Sequence, residues 1–470
     1  MTRPAFSQER VFDRAKTLAL SALLCLGRHT ISGLLTTCGQ QFSDWSSTYR
    51  LFEKNRVDVD QLFDVSRRRV TNMLPQQQPF VAGLDDTIIR KRGLHIAGTS
   101  FRRDPLGPKF RPNFVWAQRF LQVSAFVPSQ NGELPSQARA IPINLVHCPT
   151  PRKPSKKASD EEWARYEEQA KDARISLRGA EQVRLLRQQL DADPNEKKRL
   201  LVMCVDGGYT NAAMLKNLPE RTVLIGRIRK DAKLYNLPQE EPNRRGRKRS
   251  YGSRLPTPEQ ILKDDSIPWK TVKAFAAGRV FDIEYKSVGP VRWRSAGEER
   301  TLRLIVIRPL AYRPRKGAKL LYRDPAFLIC SDPDFDEQSI IQEFLWRWEI
   351  EVNFREEKTL LGTGEAQVRT PSTVESVPGF MVAVYSYLLL ADQDVGASIP
   401  DLAMPLWQRS VKKLKTRRST PEMIGLLRSE LWGKALHLDN YSGFVCNEAV
   451  EMKPENISCS LPFAVLYSHR

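Results

Sequence analysis

With 470 residues, the chain is long enough for two or three domains and at least one sizeable core, and 41% apolar with 27% charged residues excludes a disordered chain. Lys and Arg number 74 against 54 Asp and Glu, and the resulting +20 favours a polyanionic partner, nucleic acid above all. Seven cysteines with no C-x-x-C pair exclude a disulfide framework and a zinc site and point to a reducing, cytoplasmic compartment.

The opening MTRPAFSQERVFDR lacks the apolar core of a signal peptide. Residues 380–391 are too short and interrupted to span a bilayer, so no membrane partner is expected. Residues 7–75 read as helices, with Val11, Phe12, Ala15, Leu18, Ala19, Ala22 and Leu23 on one face. After a break at 28–30, Thr30 is placed to cap a short helix through Ile31, Leu34 and Leu35. Two short helices across a tight break resemble a helix-turn-helix, and Arg67, Arg68 and Arg69 follow; a helical bundle that only packs fits the same pattern.

Strand patterns begin at 80–84, ending on Asp85-Asp86-Thr87, and continue at 120–127 and 141–146. Between the first two lies a basic stretch, 90–119, with Arg90, Lys91, Arg92, Arg102, Arg103, Lys109, Arg111 and Arg119 against a single acid, Asp104. Phe101, Phe110, Phe114 and Trp116 are interleaved, as on a nucleic-acid surface. A Pro/Lys-rich linker at 149–157 leads to a long polar helix at 160–190. The continuous apolar run 200–205 reads as a strand buried on both faces; it ends on Asp206, and Gly207-Gly208 allow a sharp turn. Another strand follows at 222–228.

The stretch 243–254 is basic and rich in Gly and Ser, with Arg244, Arg245, Arg247, Lys248 and Arg249 in a loop that suits DNA. Strands at 272–275, 279–288, 291–293 and 302–307 read as a small inserted β-rich subdomain, and 326–330 as a return to the main sheet. In a helix over 346–358, WRWEIEVNFREEK, the residues Arg347, Glu351 and Lys358 stack with Phe344 into one stripe. Trp348 and Val352 flank it on one side and Ile350 and Phe354 on the other, so the stripe faces the protein. Trp346, Glu349 and Asn353 fall opposite. Glu356 and Glu357 lie about 140° and 120° from Glu351 around the axis and are expected to face water. Later helices are expected at 378–391 and 420–432, the second capped by Thr420.

Asp85, Asp206 and Glu351 thus offer three hard oxygen ligands suited to one or two Mg²⁺ ions, which work with carboxylates and phosphate oxygens. The order β, β, β, long helix, β, with Asp on the first and fourth strands, matches an RNase H-like fold.

The motifs LDDT at 84–87, CVDGG at 204–208 and FLWRWEIEVNFREEK at 344–358 together resemble those of bacterial insertion-sequence transposases of the DDE superfamily. The resemblance is to the cut-and-paste branch, whose RNase H-like domain carries a β insertion before the final Glu. It covers roughly residues 75–400 and implies an α/β fold, a mixed sheet flanked by helices, and the helix-turn-helix-like pattern before it is expected to bind the DNA ends. The corresponding boundaries are 1–75 for end binding, 76–229 and 326–400 for the catalytic core, 230–325 for the insertion and 401–470 for a C-terminal helical region. It also implies Asp85, Asp206 and Glu351 as the metal-binding triad, with Asp86 as the alternative first acid. Mg²⁺ is then the cofactor and Mn²⁺ its substitute. Arg347 and Lys358 would contact DNA phosphates, and Phe344 stands where the family has Tyr. The implied partners are double-stranded DNA and further copies of the chain, as a homodimer or larger assembly, acting on DNA in the cytoplasm. Two other functions fit the same residues: a DNA-binding descendant without catalysis, and a structure-specific nuclease.

Overall fold

The computed structural model describes residues 2–104, 107–108, 110–111, 113–129, 133–239, 249–298, 300–313, 317–396 and 417–432. Four helices open the chain: α1 (Glu9–Leu24), α2 (Ile31–Thr37), α3 (Ser46–Glu53) and α4 (Val59–Met73). Thr30 caps α2, its hydroxyl accepting the Gly33 N–H at 3.1 Å, and Asp58 caps α4 through Gln61. Their apolar faces do not close on one another alone. Val11, Leu18, Leu34, Phe52, Leu62 and Val70 belong to one continuous core with the sheet that follows.

That sheet starts with β1 (Phe80–Arg90), β2 (Ser100–Arg103), β3 (Phe114–Pro128) and β4 (Ala138–His147). In place of one long polar helix come two, α5 (Asp160–Asp172) and α6 (Ile175–Asp191), parted where Arg174 takes an extended backbone. The break has a cause: α5 buries no residue, whereas α6 turns Ala180, Val183, Leu186 and Leu190 inward. Next come β5 (Leu201–Val205), α7 (Ala212–Leu215), β6 (Thr222–Arg227), β7 (Leu234–Tyr235) and α8 (Pro258–Lys263). β8 (Lys270–Ala276), β9 (Arg279–Trp293), β10 (Thr301–Ile307), the short pair β11 (Ala311–Tyr312) and β12 (Leu321–Tyr322), and β13 (Ala326–Cys330) complete the strands. The two strands expected at 279–288 and 291–293 are one, with a register shift opposite Leu302–Leu304.

β3 pairs with β4 and β1 antiparallel, and β1, β5 and β6 run parallel, which gives the RNase H-like order β4-β3-β1-β5-β6. Every residue of β5 is buried, as a central parallel strand requires. Beyond β6 the same sheet continues through antiparallel β13, β10 and β9, so the strands of 270–307 extend it edgewise.

The last helices are α9 (Glu337–Trp346), α10 (Trp348–Thr359), α11 (Pro371–Val395) and α12 (Thr420–Trp432). α11 is longer than the sequence pattern indicates and is long and apolar enough to cross a bilayer, yet most of it is buried inside the fold. It packs on α4 and β4, with Phe380 edge-on to Phe52 at 5.5 Å, as a core helix. Thr420 does not act as the cap of α12. Its hydroxyl bonds Glu356, while Ser419 is the residue linked to Glu422 at 2.8 Å.

Candidate active site

β1 runs on to Arg90 instead of stopping at 84. Its parallel pairing with β5 ends at Leu84 opposite Val205, whereas its antiparallel pairing with β3 continues to Arg90 opposite Ala117. Asp85 and Asp206 are each the next residue after the last parallel rung, side by side at the ends of neighbouring strands. Strand alternation sends Asp85 and Thr87 to one face and Asp86 to the other. On that other face Asp86 accepts a hydrogen bond from the Tyr209 hydroxyl at 2.7 Å and pairs with Arg119 at 2.9 Å. Asp206 is half-buried and does not cap α7; Asn211 does.

The stretch holding Glu351 is not one helix. α9 ends at Trp346, α10 begins at Trp348, and the Arg347 N–H reaches back to the Phe344 carbonyl at 3.2 Å in a tightened turn. The kink exchanges two tryptophans relative to an unbroken helix. Trp346 is buried and its indole donates to the Ser136 carbonyl, while Trp348 is 61% exposed. The kink also aims Arg347 at β1. Its Nη1 lies 2.9 Å from Asp85 Oδ2, its Nη2 3.5 Å from Glu351 Oε1, and its guanidinium 5.7 Å from the ring of half-exposed Phe344. One cation therefore bridges two acids that are distant in sequence. At the far end of α10, Lys358 Nζ donates to Thr87 Oγ1 at 2.5 Å.

Glu356 and Glu357 do not face water. Glu356 accepts hydrogen bonds from the Tyr385 hydroxyl at 2.7 Å and from Thr420. Glu357 is buried and accepts from the Gln122 amide at 2.9 Å. α10 has the sheet on one side and α11 on the other, and Glu356 and Glu357 fall on these packed sides.

Burial pushes the Asp85 carboxyl up to about 6; Arg347 and the Asp86 N–H pull it down, while Asp86 and Asp206 push it up. Glu351 is also raised, by burial first, with Arg347 lowering it and Asp206 raising it. Asp206, at the end of the neighbouring strand, raises both carboxyls. Among the described residues no three His, Cys, Asp or Glu converge closely enough to hold a metal ion as they stand, since Arg347 lies between two of the acids. The donor chemistry nevertheless fits: the acids are hard carboxylates whose mutual repulsion a divalent cation relieves. Beside Gly207 opens a cleft of about 910 Å³ whose lining includes Arg227, Arg229, Lys230, Trp293 and Phe327.

The basic residues divide. Arg90, Arg92, Arg103 and Arg111 are exposed, with Arg90 paired to Asp104 at 2.7 Å. Lys91 is a correction to the expected DNA surface: it is buried and donates to the Gly364 and Ala366 carbonyls at 2.7 and 3.2 Å. The reason is alternation, which turns it to the face covered by the loop after α10. Arg102 is half-buried and bonds Cys148 and Thr150. Arg67 and Arg68 pair with Asp64, and Arg69 with Asp394. Arg244, Arg245, Arg247, Lys248 and Lys109 lie outside the described residues; Arg249 lies within them. Tyr209 and Gln122 were not singled out from the sequence, and Arg119, expected on the basic DNA surface, pairs instead with Asp86. The signal for Tyr209 was the pair Asp85-Asp86 itself, since neighbouring strand residues point to opposite faces and Asp86 needs partners of its own.

No curated protein matches the chain. The family described as DDE superfamily endonuclease matches residues 3–300, more than half of the 470. The matched span contains the two strand-end acids and ends before Glu351, which Arg347 links to Asp85. The family's enzymes act on DNA with divalent metal ions. On that match and this sheet order, the chain belongs to the DDE superfamily of endonucleases.

Proposed function

We propose that this protein is an insertion-sequence transposase that binds the inverted-repeat ends of its element, cuts DNA there and transfers the freed strand to a target. Asp85, Asp206 and Glu351 would hold Mg²⁺, with Mn²⁺ as substitute, and a homodimer or larger assembly would pair the two ends. One observation carries the reading: Arg347 joins Asp85 to Glu351 at the strand end where Asp206 also lies. Divalent cations held there supply the Lewis acidity that phosphodiester attack requires.

The chain's own groups do the rest. Arg347 balances the acids until DNA arrives and then turns to phosphate, for which its planar fork is suited. Lys358, held beside Thr87, offers a second phosphate contact, and Phe344 stacks without the hydroxyl bond that a tyrosine provides. Exposed Arg90, Arg92 and Arg103, together with the basic segment 244–249, add a salt-sensitive general attraction for the duplex.

The test is cleavage of a plasmid carrying the native ends in Mg²⁺. Asp206→Asn and Glu351→Gln are expected to abolish nicking and strand transfer while DNA binding stays near wild type, with Arg347→Ala in between. Asp85→Asn is expected to abolish cutting and Asp86→Asn to spare it, at some cost in stability. A folded Glu351→Gln protein that still cuts would refute the assignment. A structure-specific nuclease is the second reading, favoured by the ion pairing of Arg67, Arg68 and Arg69, which occupies cations otherwise suited to end recognition. Nicked plasmid without any joined product would decide for it.

A further inference from the structure

β2 and the start of β3 form a two-stranded ribbon that projects past the end of β1. Arg103 pairs with Phe114, Arg102 with Val115, and Phe101 with Trp116. Alternation gives the ribbon two unlike faces. One carries Arg102 and Val115, with Arg102 bonded back to Cys148 and Thr150. The other carries Phe101, Trp116, Arg103 and Phe114. There Phe101 is 71% and Phe114 62% exposed, and the Phe101 and Trp116 rings meet edge to face at 5.0 Å. Phe110, near the tip, is exposed as well.

The register fixes where this face points. Asp85 is opposite Gln122, Thr87 opposite Phe120 and Ile89 opposite Gln118, with no slip along the pairing. The even-numbered residues of β3 therefore share a face with Asp85, and Trp116 and Phe114 are the last of them. Six residue steps lead from Asp85 to Lys91, whose N–H bonds the Trp116 carbonyl, a distance of roughly 20 Å at about 3.3 Å per residue. That is about six nucleotide steps from the strand-end acids, on the same side of the sheet.

We propose that this aromatic ribbon face stacks on nucleobases of DNA that is locally unpaired, about six nucleotides from the point of cutting. The inference rests on the reading of the chain as a DNA-cutting enzyme. Phenyl rings gain nothing from phosphate and cannot reach base faces inside a stacked duplex, whereas they stack on any unpaired base. Arg103 on the same face, with exposed Arg92 just after β1 and Arg111 between β2 and β3, supplies the backbone contacts that accompany such stacking. A second copy of the chain suits this face poorly, because an exposed arginine, Arg103, stands among the aromatic rings and would have to be desolvated without an acid on the same face to pair with.

The experiment uses the full chain and fluorescence anisotropy with a fluorescein-labelled 20-nucleotide single strand and with its duplex. Phe101→Ala/Phe114→Ala is expected to weaken single-strand binding by roughly tenfold or more and to change duplex binding by less than about twofold. Phe101→Trp/Phe114→Trp should restore it. Equal losses on both probes, or none on the single strand, would overturn the proposal. So would a change in sedimentation from dimer to monomer with single-strand affinity intact, which would assign the face to a second copy. If the wild type bound neither probe, the DNA-cutting reading itself would fall, and the ribbon proposal with it.

Discussion

At the scale of single residues, Glu357, six positions along α10 from Glu351, behaves differently from it. Glu357 is enclosed, and burial pushes its carboxyl from 4.5 up to about 8, with the Gln122 amide and Lys358 pulling down and Glu356 pushing up. A buried acid raised in this way is neutral near pH 7, so the fold favours its protonated form. Its contribution to stability is complete below about pH 4.5 and is lost as pH rises through about 8. Wild-type protein should therefore lose stability on the order of a few kcal/mol between pH 6 and 9. Glu357→Gln, which keeps the contact with Gln122 and cannot ionise, should show a much flatter profile in urea denaturation at the two pH values. It should also cut DNA at close to the wild-type rate. A profile as steep in Glu357→Gln as in wild type would mean that another group titrates.

At the scale of elements, the sequence carried the strands well and the functional helix only in part. The apolar runs of β1 and β5 were readable because burial on both faces leaves a direct trace in composition. The kink at Arg347 left no such trace: no Pro or Gly marks it, and an unbroken wheel sends Trp348 inward and Trp346 outward, the reverse of their burial. Lys91 was misread because a basic run looks the same whether each ammonium meets solvent or a carbonyl. Its two carbonyl contacts tie the end of β1 to the loop that follows α10. Burial also lowers its ammonium to about 8, so it is no ordinary surface cation. Lys91→Met should cost roughly 1.5–3 kcal/mol of stability, since it strands two carbonyls, and leave the salt dependence of DNA binding unchanged. Exposed Arg92→Ala should do the opposite, sparing stability and reducing the salt slope by about 1. Denaturation curves and binding at several salt concentrations for both variants separate the two roles.

At the scale of the whole molecule, sheet order was legible because strand sequence and the positions of Asp85 and Asp206 together leave few RNase H-like arrangements. The destination of the first four helices was not, since an amphipathic face states that it is buried without naming what covers it. Here Phe52 meets Phe380 of α11, Gly379 leaves room for Val59 to approach, and Tyr387 donates to the Leu62 carbonyl at 2.8 Å. Helices and sheet share one apolar core, and this has a consequence for dissecting the protein. Deleting residues 2–75 would uncover the buried face of α11, including Val377 and Phe380, and part of β4. We therefore expect the truncated chain not to fold, so that loss of end binding in it says nothing about recognition. A milder change keeps the question open to measurement. Phe52→Ala removes a fully buried ring and should cost about 3–5 kcal/mol. If the core is continuous, denaturant midpoints followed by tryptophan fluorescence and by plasmid cleavage should fall together in this variant. If cleavage instead kept its wild-type midpoint while an early transition appeared in fluorescence, the first four helices would be a separate folding unit, and the single core would be wrong.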